Sequence, residues 1–242
     1  MKLDHVLIRV DNLEDAVKDF ENCGFRVYYG NSKPNCHHAM IYFRDGSFVE
    51  LIDQSKFPSF FRFLARTGVL DCFGILLQKV AHYANSEERF LDFALLSNNI
   101  DRFHEESKNR ASKLTKMERK NALGDLVKWK LFAFKKYLWL PFVMSEYEPK
   151  RFPEENAVLH RVEVSGIEQM DIRVEDSAKY CDEFGKCFGV SNSSNAIALE
   201  NSVIKIEESH VYEIMSITLS CNSFDQDVSS QLEKYGIKLR AK

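Results

Sequence analysis

The chain has 242 residues, 45% of them hydrophobic and 29% charged, enough apolar chain to close one large core or two small ones. Its formal net charge is −3, and the most basic stretch, 108–120, is interrupted by Glu118, so it reads as the solvated face of a helix rather than a nucleic-acid surface. No stretch reaches the roughly 18 uninterrupted apolar residues of a membrane span; the closest, 68–84, contains Asp71, Gln78, Lys79 and His82. Six cysteines are scattered without a C-x-x-C pair, which excludes a zinc knuckle and gives no disulfide framework. Reduced thiols, and an opening stretch with no apolar export core, lead to the expectation of a cytoplasmic protein.

Residues 3–10 alternate with a period of two, so that Val6, Ile8 and Val10 form a packing face while His5, Leu7 and Arg9 point the other way. Asp11 or Asn12 can cap a helix whose Leu13, Ala16, Val17 and Phe20 recur at helical spacing until Gly24. A second strand is expected over 25–29, then a loop over 30–35. Strands over 37–43 and 47–52 follow, joined by Arg44-Asp45-Gly46. With Asp45-Gly46 as a two-residue turn, Phe43 lies opposite Phe48 and Ile41 opposite Glu50. That register puts Glu50 with Ile41, Ala39 and His37, and sends His38, Met40 and Tyr42 to the other face. His37 is then the histidine for the functional face, although roughly 13 Å of strand separates it from Ile41 and keeps it from sharing an ion with Glu50.

Residues 55–88 change character. Phe57, Phe60, Phe61 and Leu64, then Leu70, Phe73, Leu76, Leu77 and Val80, keep helical spacing and predict two helices divided near Gly68. They read as a helical insertion at 55–90 docked on a sheet or on a partner subunit, with a lid over a ligand cavity or a membrane-surface contact as alternatives. Leu91-Asp92-Phe93-Ala94-Leu95-Leu96-Ser97 then repeats the opening 3–9 position by position. A helix is expected from Asn99 toward Lys120, a hairpin over 126–134 and 138–146, and a linker over 149–156. The tail reads as short strands at 159–164 and 170–174, a helix at 176–188, a hairpin at 196–199 and 203–207, a strand at 213–219 and a closing helix at 224–235.

The words Leu3-Asp4-His5-Val6, Gly24-Phe25-Arg26-Val27, His37-His38-Ala39-Met40-Ile41, Asp45-Gly46-Ser47-Phe48-Val49-Glu50-Leu51-Ile52 and Leu140-Pro141-Phe142 resemble the glyoxalase-like group of the vicinal oxygen chelate superfamily. The resemblance implies an α+β fold of tandem βαβββ modules with paired curved mixed sheets, here with a first module at 1–54, the insertion at 55–90, a second module at 91–148 and a partial module at 157–242. It places His5 and Glu50 at the first module's two metal-ligand positions, for a divalent ion such as Zn, Mn, Fe or Ni. An imidazole and a carboxylate suit such an ion and leave room for a substrate's paired oxygens. Glu50 alone is also placed to act as a base next to a carbonyl. The second module departs from the pattern: Phe93 stands where His5 stands, and Glu146 lies one residue beyond the usual Pro-Phe-x-x-Glu position, which reverses its face.

The implied function is a small-molecule enzyme acting on an oxygen-rich or α-carbonyl compound, a lyase, isomerase or dioxygenase, with His5 and Glu50 as catalytic or metal-binding groups. His37, Arg9, Trp129 and Phe93 are its substrate-binding candidates. For each a plainer reading stands beside it: a satisfied core histidine for His5, a surface ion pair for Arg9, core filling for Trp129. Glu50, among Phe48, Val49, Leu51 and Ile52, is the hardest to read as structural, since burying a carboxylate is costly unless it is paired, protonated or on a metal. The rival from another class is a non-catalytic protein of the same fold that binds and sequesters a small molecule. A third is an interaction protein using the 55–90 helices, its cleft filled with side chains. A homodimer is expected, with no nucleic-acid partner and no transmembrane segment.

Overall fold

The computed structural model of the protein describes residues 1–31, 36–120, 124–149, 155–193 and 195–242, the side chains of Asp71 and Glu155 apart. The expected loop at 30–35 and linker at 149–156 therefore fall largely outside the described residues. β1 (Lys2–Val10) sorts its side chains as the alternation requires. Val6, Ile8 and Val10 enter the main core, where α1 (Leu13–Asn22) lays Leu13, Ala16, Val17 and Phe20 against the same cluster. Asn12 caps that helix by accepting from the Asp15 amide. β2 (Tyr28–Tyr29), β3 (His38–Tyr42) and β4 (Phe48–Asp53) complete the first unit, with β4 parallel to β1 and antiparallel to β3. The strand expected at 25–29 is only those two tyrosines long.

The β3–β4 hairpin is in a different register from the expected one: Met40 faces Glu50, Tyr42 faces Phe48 and His38 faces Ile52. The Phe43 amide donates to the Ser47 carbonyl at 2.8 Å, so the loop holds three residues, Arg44, Asp45 and Gly46, with Gly46 at φ +90°. The tip is held from outside. Asp45 Oδ1 accepts from the Ser47 amide and hydroxyl at 2.8 and 2.6 Å, the Asp45 amide donates to the Ser165 carbonyl at 3.0 Å, and the Ile167 amide donates to Ser47 Oγ at 3.2 Å. A slip of one residue exchanges the faces of a strand, so His38, Met40 and Tyr42, rather than His37 and Ile41, share the face of Glu50.

The helical insertion holds α2 (Ser59–Arg66) and α3 (Ile75–Asn85), separated by a short 3-10 turn at Val69–Phe73. The second unit is β5 (Phe90–Leu96), α4 (Ile100–Ser107), β6 (Thr115–Lys120), β7 (Leu126–Phe132) and β8 (Phe142–Met144). All eight strands form one sheet of order β2-β3-β4-β1-β5-β8-β7-β6, joined at an antiparallel β1–β5 seam. The helix expected to run toward Lys120 stops at Ser107, and 115–120 is a strand instead. Its alternation explains why: Lys116, Glu118 and Lys120 are exposed, while Thr115 and Arg119 are half-buried on the other face.

A second sheet repeats the plan. It is built from β9 (Val164–Val174), α5 (Ser177–Phe188), β10 (Asn192–Ser193), β11 (Ala196–Ala198), β12 (Val203–Glu208), β13 (Glu213–Cys221), α6 (Gln226–Glu233) and β14 (Ile237–Ala241). Its order is β10-β11-β12-β9-β13-β14, again with a parallel pair, β9–β12, beside an antiparallel one, β9–β13. Two short strands were expected where β9 runs unbroken. Register shifts against β13 break its period of two, so that core residues fall at Val164, Ile167, Met170, Ile172 and Val174. β14, after the closing helix, was not foreseen. One continuous core joins the sheets, with Phe20 against Tyr235 and Phe134 against Phe188.

The insertion docks on the first sheet. Phe57 and Tyr83 pack on Leu7, Ile52 and Leu91. Lys79, 2% exposed, reaches Asp92 Oδ2 at 2.7 Å and the Leu138 carbonyl at 2.8 Å, and the Tyr83 hydroxyl donates to the same aspartate. No helix among the described residues is long and apolar enough to cross a membrane. Removing one member of a buried ion pair strands the other, at about 3–5 kcal/mol. Lys79→Met is therefore expected to lower the unfolding free energy in urea by about that much, and Lys79→Met/Asp92→Asn to recover part of it. A single-variant cost below about 1 kcal/mol would show that the pair does not pin the insertion.

Candidate functional site

The first unit turns its polar side chains onto the face opposite the main core. A register shift in the β1–β5 pairing between Leu3 and His5 brings Asp4 beside His5. Asp4 Oδ2 accepts from His5 Nδ1 at 2.7 Å, both side chains being buried. This carboxylate–imidazole contact orients the ring and turns Nε2 toward Glu50 Oε2, 3.6 Å away. The His5 ring stacks on Phe48 at 4.4 Å and meets the edge of Phe142 at 5.5 Å, so its direction is fixed by packing as well. At 3.6 Å the pair is too long for a hydrogen bond; with Nδ1–H given to Asp4, His5 Nε2 and Glu50 Oε2 face each other as two acceptors.

Glu50 has a second imidazole on its other oxygen, His38 Nε2 at 3.9 Å. Burial alone would raise its carboxyl, but His38, His5 and the Arg119 guanidinium outweigh it and hold the pKa below the usual value. With only a fifth of its side chain exposed, Glu50 is an ionised carboxylate at neutral pH. His38 is pushed down to about 4, chiefly by burial and further by Arg119, against the pull of Glu50. It is therefore neutral, and its Nε2 accepts from Arg119 Nη1. Its ring lies over Gly30, where a Cβ would sit 1.7 Å from Nε2, so only glycine leaves room for it.

Arg119 is the residue that sequence reasoning missed. It comes from β6 in the second unit, crosses to His38 and Met40, and lies 5.8 Å over the Trp129 ring. Its Nε is buried with no hydrogen-bond partner, and among the described residues no carboxylate lies within ion-pairing distance of the guanidinium. Tyr42 and Tyr147 close the far wall, Tyr147 edge-on to Trp129 at 5.4 Å, and burial raises both phenols well above their ordinary value. The signal was present in the alternation of Thr115, Met117 and Arg119, but the density of charge over 108–120 concealed it.

The other expected residues fare unequally. Trp129 does stand at the edge of the site. His37 lies just before β3, packed on Phe57 and His38, and makes no ion pair with Glu50 within 4.0 Å. Arg9 is held near Asp11 at 3.5 Å at the far end of β1, four residues or roughly 13 Å beyond His5, and does not join the cluster. Phe93 is fully buried in the main core, facing Val6 across the antiparallel seam, so it is not in the cleft; Ala94 is the seam partner of His5.

The same pairing places Met144 where Glu50 stands in the first unit: Phe48 faces His5 and Phe142 faces Ala94, with Glu50 and Met144 each two residues on. Glu146 is exposed beyond the end of β8. A divalent ion would thus find two protein donors, His5 Nε2 and Glu50. The third nearby group, His38 Nε2, is taken up by a guanidinium, and the second unit offers an alanine and a methionine. Among the described residues no cluster of three or more His, Cys, Asp or Glu is spaced to hold a metal. A resident catalytic ion ordinarily takes about three protein ligands, and this donor set does not complete one.

The glyoxalase-like domain family matches residues 3–184. No curated protein matches the sequence. Among solved structures, a hypothetical protein from Staphylococcus aureus superposes with a TM-score of 0.75 at 16% identity, over 100% of this chain and 99% of that one. The Mn(II)-bound glyoxalase from Novosphingobium aromaticivorans gives 0.55 at 12% identity, over 98% and 71%. A catechol 2,3-dioxygenase gives 0.51 at 10% identity, over 97% and 76%. These likenesses establish the fold, two curled mixed sheets of the vicinal oxygen chelate type.

The state of His38 can be read from stability. Its folded pKa, about 4, lies below the ordinary 6.5, so the unfolded chain takes up the proton first. Its stabilisation is complete above about pH 6.5 and falls as pH drops toward 4, by roughly 2 kcal/mol between pH 7 and pH 5. Urea unfolding of the wild type and of His38→Phe at those two pH values should differ in slope by about that amount. Equal slopes would mean that His38 titrates normally.

Proposed function

The chain belongs to the glyoxalase-like domain family, and we propose that it is a small-molecule enzyme acting on an α-carbonyl or otherwise oxygen-rich compound. The observation that carries this is the largely enclosed Glu50 carboxylate, held ionised between two imidazoles, one of which accepts from the Arg119 guanidinium. In this reading Glu50 accepts the proton from the carbon next to the substrate carbonyl, and the electron pair of that bond moves onto the carbonyl oxygen. Arg119 supplies the fixed cation that holds the developing negative charge, the part an ion plays in metal-using folds of this type. His5, oriented by Asp4, accepts at Nε2 from a substrate hydroxyl opposite Glu50. A ligand closing over Glu50 excludes the water that reaches its exposed fifth and raises its proton affinity when the transfer occurs. Trp129, Tyr147 and Phe48 wall the substrate.

Capture without turnover is the second reading. It is favoured by Ala94 and Met144, which leave the second unit's half of the cleft without acid–base groups.

Both readings meet in one experiment. The protein is incubated in D2O with a panel of 2-oxo acids, hydroxyketones and thiol adducts of 2-oxoaldehydes, and loss of the α-proton is followed by NMR. Exchange is expected for at least one class, slowed about 10²–10⁴-fold in Glu50→Gln, with weakened binding in Arg119→Gln. A compound that binds through Arg119 without exchange supports capture. Exchange at the wild-type rate in Glu50→Gln, or no binding across the panel, overturns the proposal.

A further inference from the structure

Between α3 and the β6–β8 end of the first sheet lies a cavity of about 720 Å³, in the size range of small-molecule pockets. Its wall is largely carbon: Leu76, Leu77 and Val80 from α3, Met117 from β6, Leu131 from β7 and Phe142 from β8. Of the three lysines on its lining, Lys79 is committed to Asp92, while Lys113 and Lys135 are exposed at the rim and leave the inner wall to carbon. Leu77, Val80 and Met117 are 37%, 37% and 39% exposed at its mouth, an apolar surface that costs free energy until something covers it.

Two of these walls run directly into the polar centre. Phe142 sets its ring edge-on to His5 at 5.5 Å. Met117 shares its face of β6 with Arg119, two residues and roughly 7 Å along the strand. None of His5, His38, Glu50 or Arg119 lines the cavity itself, but Phe142 and the Met117–Arg119 face of β6 lead from one to the other. A wall of side-chain carbon offers few partners to the amides of a peptide, whereas a hydrocarbon needs none.

We infer that the substrate is amphipathic, with a carbonyl or carboxylate head at Glu50 and Arg119 and a saturated hydrocarbon tail lying in this cavity. The inference rests on the head-group reading given under the proposed function and adds the tail. Tail length then sets affinity. Each buried methylene contributes until the cavity is filled, and α3, held by Lys79, acts as the wall that measures the chain.

The test is isothermal titration of straight-chain 2-oxo acids from four to ten carbons, with the matching alkan-1-ols as head-free controls. Affinity is expected to rise about three- to fourfold per methylene. Met117→Glu, a half-exposed wall position, is expected to flatten that rise, and Arg119→Gln to weaken every acid equally. If the short acid binds through Arg119 but longer chains gain nothing, or if Met117→Glu leaves the rise intact, the tail inference is overturned and the head reading survives. If alkanols bind as tightly as the acids, with the same dependence on length, the cavity holds a tail and the head reading fails. A change from dimer to monomer in Met117→Glu, without change in ligand affinity, assigns the groove to contact between copies and overturns the inference. Binding by none of these compounds overturns both.

Discussion

The site depends on the register of one hairpin. Three residues, not two, turn β3 into β4, and the loop is kept that way by hydrogen bonds from its tip to β9 in the other sheet. Gly166 leaves the space that Asp45 needs, since a Cβ there would lie 2.1 Å from its carboxylate. Through that anchoring the second sheet, which contributes no residue to the polar cluster, decides which histidine meets Glu50. A slip of one residue would turn Met40, Tyr42 and His38 into the core and put Ala39 and Ile41 in the cleft.

The two units share one pattern of elements and use it differently. In the first, Asp4 orients His5 toward Glu50. In the second, the matching Asp92 holds Lys79 and Tyr83 of the insertion, so the same aspartate position became an anchor for a helix. The insertion thereby fills part of the concave face through Tyr83, Leu7 and Ile52, and leaves the rest as a polar centre with an apolar extension.

Much of the fold was legible because local signals agreed. The alternation of 3–10, the capped helix after it, the Leu-Asp repeat and the helical spacing of the insertion each reflect burial of one face, which a single sequence records. The site was legible only in part. His5 and Glu50 could be singled out because a polar residue in an apolar strand is costly without a purpose. The choice between His37 and His38 could not be made, since it rests on hydrogen bonds to Ser165 and Ile167, some 120 residues away. Phe93 lies in the main core because its face of β5 turns inward, which the Leu-Asp repeat alone does not record. Arg119 was hidden because a strand with charges on its outer face and one arginine turned inward reads, residue by residue, like a solvated helix.

Arg119 also bears on the central point, that the cation of this site belongs to the chain itself. The second unit sets Ala94 and Met144 on paired strands where the first has His5 and Glu50, and a guanidinium from the same unit reaches His38 of the first. The most direct measurement is the metal content of the purified protein after anaerobic loading with Zn, Mn, Fe or Ni and removal of free ion, compared with His5→Ala and Glu50→Ala. An Arg119-centred site retains no stoichiometric metal in any of the three proteins. One tightly held ion in the wild type, lost in both variants, would contradict it.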